Sequence, residues 1–312
     1  MTFLPAETAA CCRLVELAIK EDLGLDPLWK ADVTTWPIFP SFHRGSASFV
    51  SRADGVLAGL PAAAVVFGAF DKQLEFRPLL EDGTRIHSGD RIATISGPQK
   101  MILGSERTAL NFMQHLSGIA TLTRRYVDAV EGLPCQILDT RKTTPGWRLL
   151  EKYAVRCGGG QNHRMGLYDG ILIKDNHLAA GRSFSPKWTI ASVLRLVRKE
   201  NLEEFPIEIE VETLQQLEEV IQAANTPMHP TIESELHRVD CVLLDNMSLD
   251  QLREAVKMRN ARAPKIQLEA SGGITLDNVR AVAQTGVDRI SVGALTHSAP
   301  ALDIALDYEH GV

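Results

Sequence analysis

Apolar positions along the chain change period more than once. From Ala9 to Asp22, Leu14, Leu17 and Ala18 recur at helical spacing and the run stops at Gly24, which predicts an amphipathic helix closed by a glycine. The pattern then turns strand-like: Ser46–Arg52, Gly55–Leu60, Leu74–Leu79 and Arg85–Ile95 are short β-type runs broken by Gly83, Gly89-Asp90 and Gly97, with a helix over Pro61–Phe70. This part predicts a small α+β layer. Pro98 to about Glu131 predicts a long, mainly helical bridge, interrupted near Gly118.

Beyond the bridge, apolar β-type runs alternate with helical segments. The runs are Gln136–Leu138, Gly170–Ile173, Ile207–Val211, Cys241–Leu244, Ile266–Ala270 and Arg289–Val292. Six βα units on parallel strands predict a β/α barrel, whole or incomplete. Thr213-Leu214-Gln215-Gln216 and Ser248-Leu249-Asp250-Gln251 fit the capping-box form just after two of these runs. In such a barrel, chemistry sits at the C-terminal strand ends. Those ends here are Asp139-Thr140-Arg141-Lys142, Lys174-Asp175-Asn176, Glu210–Glu212, Asp245-Asn246, Ser271-Gly272-Gly273 and Gly293-Ala294.

Charge sharpens this picture. Asp139–His177 carries seven Lys or Arg and two His against four acids, in a chain of formal net charge -6. Positive charge confined to one segment points to a small anionic ligand and away from nucleic acid or a membrane surface, which call for broad basic faces. An apolar content of 45% with 23% charged residues is ordinary for a globular enzyme, and the five scattered cysteines, with no CxxC spacing, suggest neither a disulfide framework nor a zinc site. With no signal-peptide pattern and no run approaching the ~18 apolar residues of a membrane span, the expected location is the cytoplasm.

Arg141, His163, Arg164 and Lys174 suit a planar dicarboxylate, because arginine forks match carboxylates in two-point contacts. Ser271-Gly272-Gly273-Ile274 before a helix, and Val292-Gly293-Ala294 after the last strand, suit a phosphate cradle. Glu210 and Asp245, at the ends of consecutive strands, suit a divalent metal or ribose hydroxyls. Glu208, Glu210 and Glu212 share one face of their strand, so alternation does not choose among them; strand-end position disfavours Glu208.

With these residues in hand, the chain resembles the quinolinate phosphoribosyltransferases. The resemblance runs from the first helix to the last predicted one, through SERTALN, LDTRKTTPGWR, GGGQNHRMGLYDGILIKDNH, LLDN, EASGGI and SVGALTHS. It implies an α/β protein with an N-terminal α/β open sandwich over 1–117 and an incomplete β/α barrel over 118–297, with a C-terminal helix over 298–312 that packs on the first domain. It also implies a homodimer or higher homo-oligomer in which Arg107, of SERTALN, enters the partner's site. Quinolinate-binding residues of the family fall on Arg107, Arg141, His163, Arg164 and Lys174. Residues for 5-phosphoribosyl 1-diphosphate fall on Lys142, Glu210, Asp245, Asn246, Ser271, Gly272, Gly273 and Gly293. Mg2+ is the implied cofactor, with Glu210 and Asp245 as its protein ligands, and Lys174, Glu210 and Asp245 are the implied catalytic residues.

The implied reaction gives nicotinate mononucleotide, diphosphate and CO2, in NAD biosynthesis. A related phosphoribosyltransferase for nicotinate, a molybdenum-associated paralogue, and a non-catalytic metabolite-binding barrel are the alternatives; the full cation set favours quinolinate. One departure from the family pattern is a longer connection over Asn225–Arg238, between the Glu210 strand and Asp245, which reads as a surface insertion.

Overall fold

The computed structural model describes residues 1–24, 32–185, 187–201, 204–225 and 239–308. The first part of the chain forms α1 (Pro5–Leu23), α2 (Thr35–Ile38), β1 (Arg44–Ser51), β2 (Gly55–Val56), α3 (Leu60–Phe70), β3 (Glu75–Pro78), β4 (Arg85–Ile86) and β5 (Arg91–Pro98). The middle forms α4 (Gln99–Ala129), β6 (Gln136–Leu138), α5 (Arg148–Cys157), β7 (Ile171–Ile173), α6 (Asp175–Phe184) and α7 (Ile190–Glu200). The remainder forms β8 (Ile207–Val211), α8 (Leu214–Asn225), β9 (Cys241–Asp245), α9 (Leu249–Arg262), β10 (Gln267–Ser271), α10 (Val279–Ala283), β11 (Arg289–Ser291), α11 (Ala294–His297) and β12 (Ile304–Tyr308). No helix among the described residues is long and apolar enough to cross a membrane.

Two compact units interleave along the sequence. One comprises Met1–Arg125, Lys142–Asn162 and Gly293–Val312; the other comprises Tyr126–Arg141 and His163–Val292. The first unit is built on a four-stranded antiparallel sheet in the order β12-β1-β5-β3, with a small β2-β4 ribbon. Its apolar centre joins Phe49 of β1 to Phe67 of α3 and Phe76 of β3, with ring centroids 5.9 Å and 5.8 Å from Phe49. The strand expected over Arg85–Ile95 is split in two, because Gly89 turns the backbone at φ +95°. Helix α1 forms where its pattern predicts, but buries Ala10, Cys11, Val15 and Ile19 while Leu17 stays 63% exposed.

The segment expected as a helix over 298–312 instead contributes strand β12, paired antiparallel with β1 from Ala47↔Tyr308 to Ser51↔Ile304. Ile304 and Leu306, two apart, both bury their side chains, as strand alternation requires. Helix α4 runs unbroken through Gly118. The glycine there serves close approach, since a Cβ would lie 2.1 Å from the Pro300 carbonyl oxygen. Gln114, one turn earlier, donates to the Ile304 carbonyl and accepts the Leu302 N–H.

Asp82 organises the start of α3. Its carboxylate accepts the backbone N–H groups of Gly59 and Leu60 and, at 2.7 Å, the Tyr153 hydroxyl from α5. Burial pushes this carboxyl above its ordinary range, against the pull of those three donors.

The second unit is a six-stranded, all-parallel sheet in the order β6-β11-β10-β9-β8-β7. Each of the six strands overlaps its sequence-predicted run. Edges β6 and β7 do not pair with each other, so the barrel is incomplete. Both capping boxes form: Gln216 N–H donates to Thr213 Oγ1 at 3.2 Å, and Gln251 N–H to Ser248 Oγ at 3.3 Å. Residues 226–238 of the longer connection lie outside the described residues.

Replacing Gly118 with Ala in an ordinary helix interior gains roughly 1 kcal/mol of helix propensity. Here the clash with Pro300 reverses the sign, and the Gly118→Ala protein is expected to melt below the parent in a thermal unfolding scan.

Candidate active site

In the parallel unit, residues paired in register point to the same side of the sheet. Glu210, Leu243 and Glu269 form one row, Glu208 and Cys241 the row beneath, and Asp245 and Ser271 the row above. The face so defined is unusually acidic. Glu208 and Glu210 are both nearly buried, whereas Glu212 lies beyond the strand and is exposed, with its N–H given to Gln216. Burial thus favours Glu210 over Glu212.

Lys174 opens α6 directly after β7 and sends its Nζ 2.5 Å from Glu210 Oε2. Arg164 is partly buried, and its Nη1 donates to the Gly170 carbonyl at 3.2 Å. Burial and the adjacent Arg141 guanidinium hold Arg164 below its ordinary proton affinity, with Glu208 and Asp169 pulling the other way. Two like charges brought together are stabilised by an anion.

His163 sits differently from the expectation of a residue facing that anion. Its Nε2 lies 3.0 Å from Glu208 Oε2 and 3.5 Å from Glu269 Oε1, and its Nδ1 accepts the Arg164 backbone N–H at 2.8 Å. Its own N–H donates to Oδ1 of Asp139, which follows β6 and is fully buried. Burial lowers the imidazole's proton affinity, while hydrogen bonds and charge from Glu208 and Glu269 raise it. The backbone sets the tautomer: an Nδ1 that accepts the Arg164 N–H leaves the ring hydrogen on Nε2, facing the carboxylates. Burial and the Glu208 charge push the Glu269 carboxyl upward. Among the described residues, His163, Glu208 and Glu269 are the one group of three metal-type donors close together. With Nδ1 accepting, Nε2 carries hydrogen and has no lone pair for a metal.

Asp245 accepts from the side chain of Asn246 at 2.7 Å, and Asn246 adopts the left-handed region at φ +52° while its N–H bonds the Ser271 carbonyl. The Asn246 side chain leaves no room at Gly272, where a Cβ would come 2.2 Å from its Oδ1; Gly272 and Gly273 have φ of +91° and +62°. These glycines expose backbone N–H groups, as a phosphate turn needs. The helix expected immediately behind them is displaced: α10 begins only at Val279, after a turn in which Asn278 bonds Gly273 and Thr275.

Lys142, Gly293 and Arg107 belong to the antiparallel unit. The Lys142 side chain passes 3.2 Å from where a Gly293 Cβ would stand, and Thr296 Oγ1 donates to the Lys142 carbonyl. Glu151, fully buried on α5, fastens the following loop by accepting the Thr144 N–H and lying 3.1 Å from His115 Nε2 on α4. Trp147 in that loop stacks on Phe112. Arg107 is exposed on α4. The glycine run closes α5: Gly159 takes φ +86°, and Gly158 lies where a Cβ would meet the Ala120 carbonyl at 2.5 Å.

Sequence reading passed over Glu269, Asp139 and Glu151 and set Glu208 aside. Each is a buried acid spent on protein groups, and the available signal was strand parity: Glu208 shares a face with Glu210.

A parallel β/α unit with cations and a glycine turn at its C-terminal strand ends is, by class, a barrel-type protein built to hold small polyanions. Residues 32–117 match the family described as "Quinolinate phosphoribosyl transferase, N-terminal domain" and residues 119–307 the family "Quinolinate phosphoribosyl transferase, C-terminal domain". A nicotinate-nucleotide pyrophosphorylase [carboxylating] of Mycobacterium leprae (strain TN) is 43% identical over 297 residues, covering 94% of this chain and 95% of the relative. A probable enzyme of the same name from Synechocystis is 44% identical over 264 residues, 85% of this chain and 83% of the relative. The solved nicotinate-nucleotide pyrophosphorylase of Francisella tularensis superposes with a TM-score of 0.84 at 34% identity, covering 98% of both chains. The chain belongs to the quinolinate phosphoribosyltransferase family.

Glu151→Ala empties a fully buried carboxylate position and leaves the Thr144 N–H and His115 without their acceptor. A loss of roughly 1–3 kcal/mol is expected in denaturant unfolding, with a smaller loss for Glu151→Gln, which keeps an acceptor oxygen.

Proposed function

We propose that this protein transfers the phosphoribosyl group of 5-phosphoribosyl 1-diphosphate to quinolinate with decarboxylation, giving nicotinate mononucleotide, diphosphate and CO2 for NAD biosynthesis. The observation that carries this reading is the pairing of Arg141 with Arg164, two guanidinium groups close enough to perturb each other. A dicarboxylate relieves that repulsion and uses both forks, whereas a monocarboxylate such as nicotinate needs one. The names of the relatives point the same way.

Both substrates are polyanions and repel in water. Arg141, Arg164 and Lys174 grip quinolinate and present its ring nitrogen to ribose C1. The nitrogen forms a bond to C1 as the bond to diphosphate breaks, and the carboxylates of Glu210 and Asp245 stabilise positive charge on the sugar. Lys142 holds the departing diphosphate, while the Asn246, Ser271-Gly272-Gly273 and Gly293 turns hold the sugar phosphate through backbone N–H groups. The glycosylated ring is a pyridinium and accepts the electron pair released when the 2-carboxylate leaves as CO2. A proton from Lys174 or from water then completes C2. Arg107, exposed on α4, completes the site of a second copy in a homodimer or larger assembly.

Mg2+ fits the donor chemistry here. Glu210 and Asp245 supply hard carboxylate oxygens, and Mg2+ usually takes one or two of these and draws its other ligands from phosphate and water. Lys174 holds Glu210 in the free protein, so Asp245 is the more available of the two. When bound, the ion supplies neutralisation of the diphosphate charge.

Purified protein given quinolinate, 5-phosphoribosyl 1-diphosphate and Mg2+ is expected to release CO2 and nicotinate mononucleotide in equal amounts, with no turnover of nicotinate. Turnover of nicotinate in place of quinolinate, or quinolinate binding without product, overturns the proposal. Lys174→Ala is expected to lower kcat by roughly 10²-fold or more with an unchanged circular dichroism spectrum. Near-normal activity would remove Lys174 from the chemistry. Chelation of Mg2+ is expected to abolish turnover and its re-addition to restore it.

A further inference from the structure

Two buried glutamates, Glu208 on β8 and Glu269 on β10, have no part in the reaction as drawn above, yet both point at one imidazole nitrogen. Burying two carboxylates beneath a site for an anionic substrate works against binding that substrate, unless they do something the site requires. What they hold is the edge of a chain of contacts that ends at a cation. Glu208 receives His163 Nε2 at 3.0 Å, with the Glu269 carboxylate 3.5 Å from the same nitrogen; His163 Nδ1 receives the Arg164 backbone N–H; Arg164 Nη1 donates to Gly170; and Asp139 takes the His163 N–H from the other side. Both ring nitrogens of His163 are thereby turned to protein. The dipeptide His163-Arg164 is fixed at its backbone by groups from the ends or interiors of three strands.

We propose that Glu208 and Glu269 are positioning residues for the quinolinate clamp: they select the Nε2–H tautomer of His163, whose Nδ1 then fixes the Arg164 backbone and aims its guanidinium at a substrate carboxylate. His163 acts through Arg164 and does not itself face the substrate. The inference rests on the reading of Arg164 as a quinolinate contact. A hydrogen-bond acceptor, not a full charge, is what the ring requires, and Glu208 is the acceptor at hydrogen-bond distance, so glutamine at position 208 preserves the device and leucine removes it.

The test has a spectroscopic arm and a kinetic arm. In the full-length protein carrying 15N-labelled histidine, the His163 signal, assigned by its loss in His163→Asn, is expected to show a protonated Nε2 and an unprotonated Nδ1 near neutral pH. A doubly protonated ring or the Nδ1–H tautomer overturns the proposal, and this arm reads out whether or not the protein turns over quinolinate. In the kinetic arm, Glu208→Leu is expected to raise the quinolinate KM tenfold or more while leaving the KM for 5-phosphoribosyl 1-diphosphate within about twofold, a selectivity that general unfolding does not produce. Glu208→Gln is expected to restore the quinolinate KM to within about threefold of the parent. A folded Glu208→Leu protein with an unchanged quinolinate KM, or equal rises in both KM values, overturns it. Absence of any product from the parent protein defeats the proposed activity and leaves the tautomer result to stand separately.

Discussion

A ring nitrogen held between two buried carboxylates is the contact on which the proposed anion site of the parallel unit depends. Cations that must wait for a dianion repel one another, and loops carry them away from the scaffold unless their backbone is tied down. Here the ties come from Asp139 after β6, Glu208 of β8 and Glu269 of β10, and converge on His163 and the residue after it. In the proposed reading, the result is an arginine tied at its main chain with its guanidinium turned to the substrate. Pre-organisation of this kind lets binding energy be spent on the substrate and not on ordering the site.

The antiparallel unit solves an analogous problem with Asp82 and Glu151. Each is a buried acid that joins several groups: Asp82 accepts three hydrogen bonds and ties the start of α3 to Tyr153 of α5, and Glu151 ties the loop after Lys142 to α4. Segments of the chain separated by the parallel unit in sequence are joined by these acids in space. Both are therefore points where a small change in side-chain chemistry reaches several elements at once.

Much of this was legible in the sequence. The six parallel strands are short apolar runs with polar ends, and burial on both faces writes that pattern plainly; the two capping boxes mark the helix starts because their residues act locally. Failures occurred where the deciding partner is remote. Leu302 and Leu306 are four apart and suit a helix, while Ile304, Leu306 and Tyr308 suit a strand; only the presence of β1 alongside decides. Gly118 looks like a helix break until Pro300 is seen against it. Leu17 has helical spacing with Leu14, but the buried stripe of α1 falls on Cys11, Val15 and Ile19. The acids Glu208 and Glu269 sit in strands distant from the His163 motif, so no local spacing joins them, and strand-end reasoning pointed away from Glu208. The cations themselves, by contrast, cluster in one stretch of sequence, which is why the candidate site could be read locally.

The pairing of β1 with β12 sets a timetable. Ser51 faces Ile304, and 304 − 51 = 253 residues of synthesis separate them. At ribosomal speeds of ~5–20 residues per second, β1 waits roughly 13–50 s for its outer neighbour. Through that interval the strand Arg44–Ser51 presents an open hydrogen-bonding edge to any other nascent chain. The antiparallel unit, whose residues lead the sequence, is thus the part that matures last, and a chaperone that covers β1 during translation protects the stage at which this protein is most exposed to aggregation.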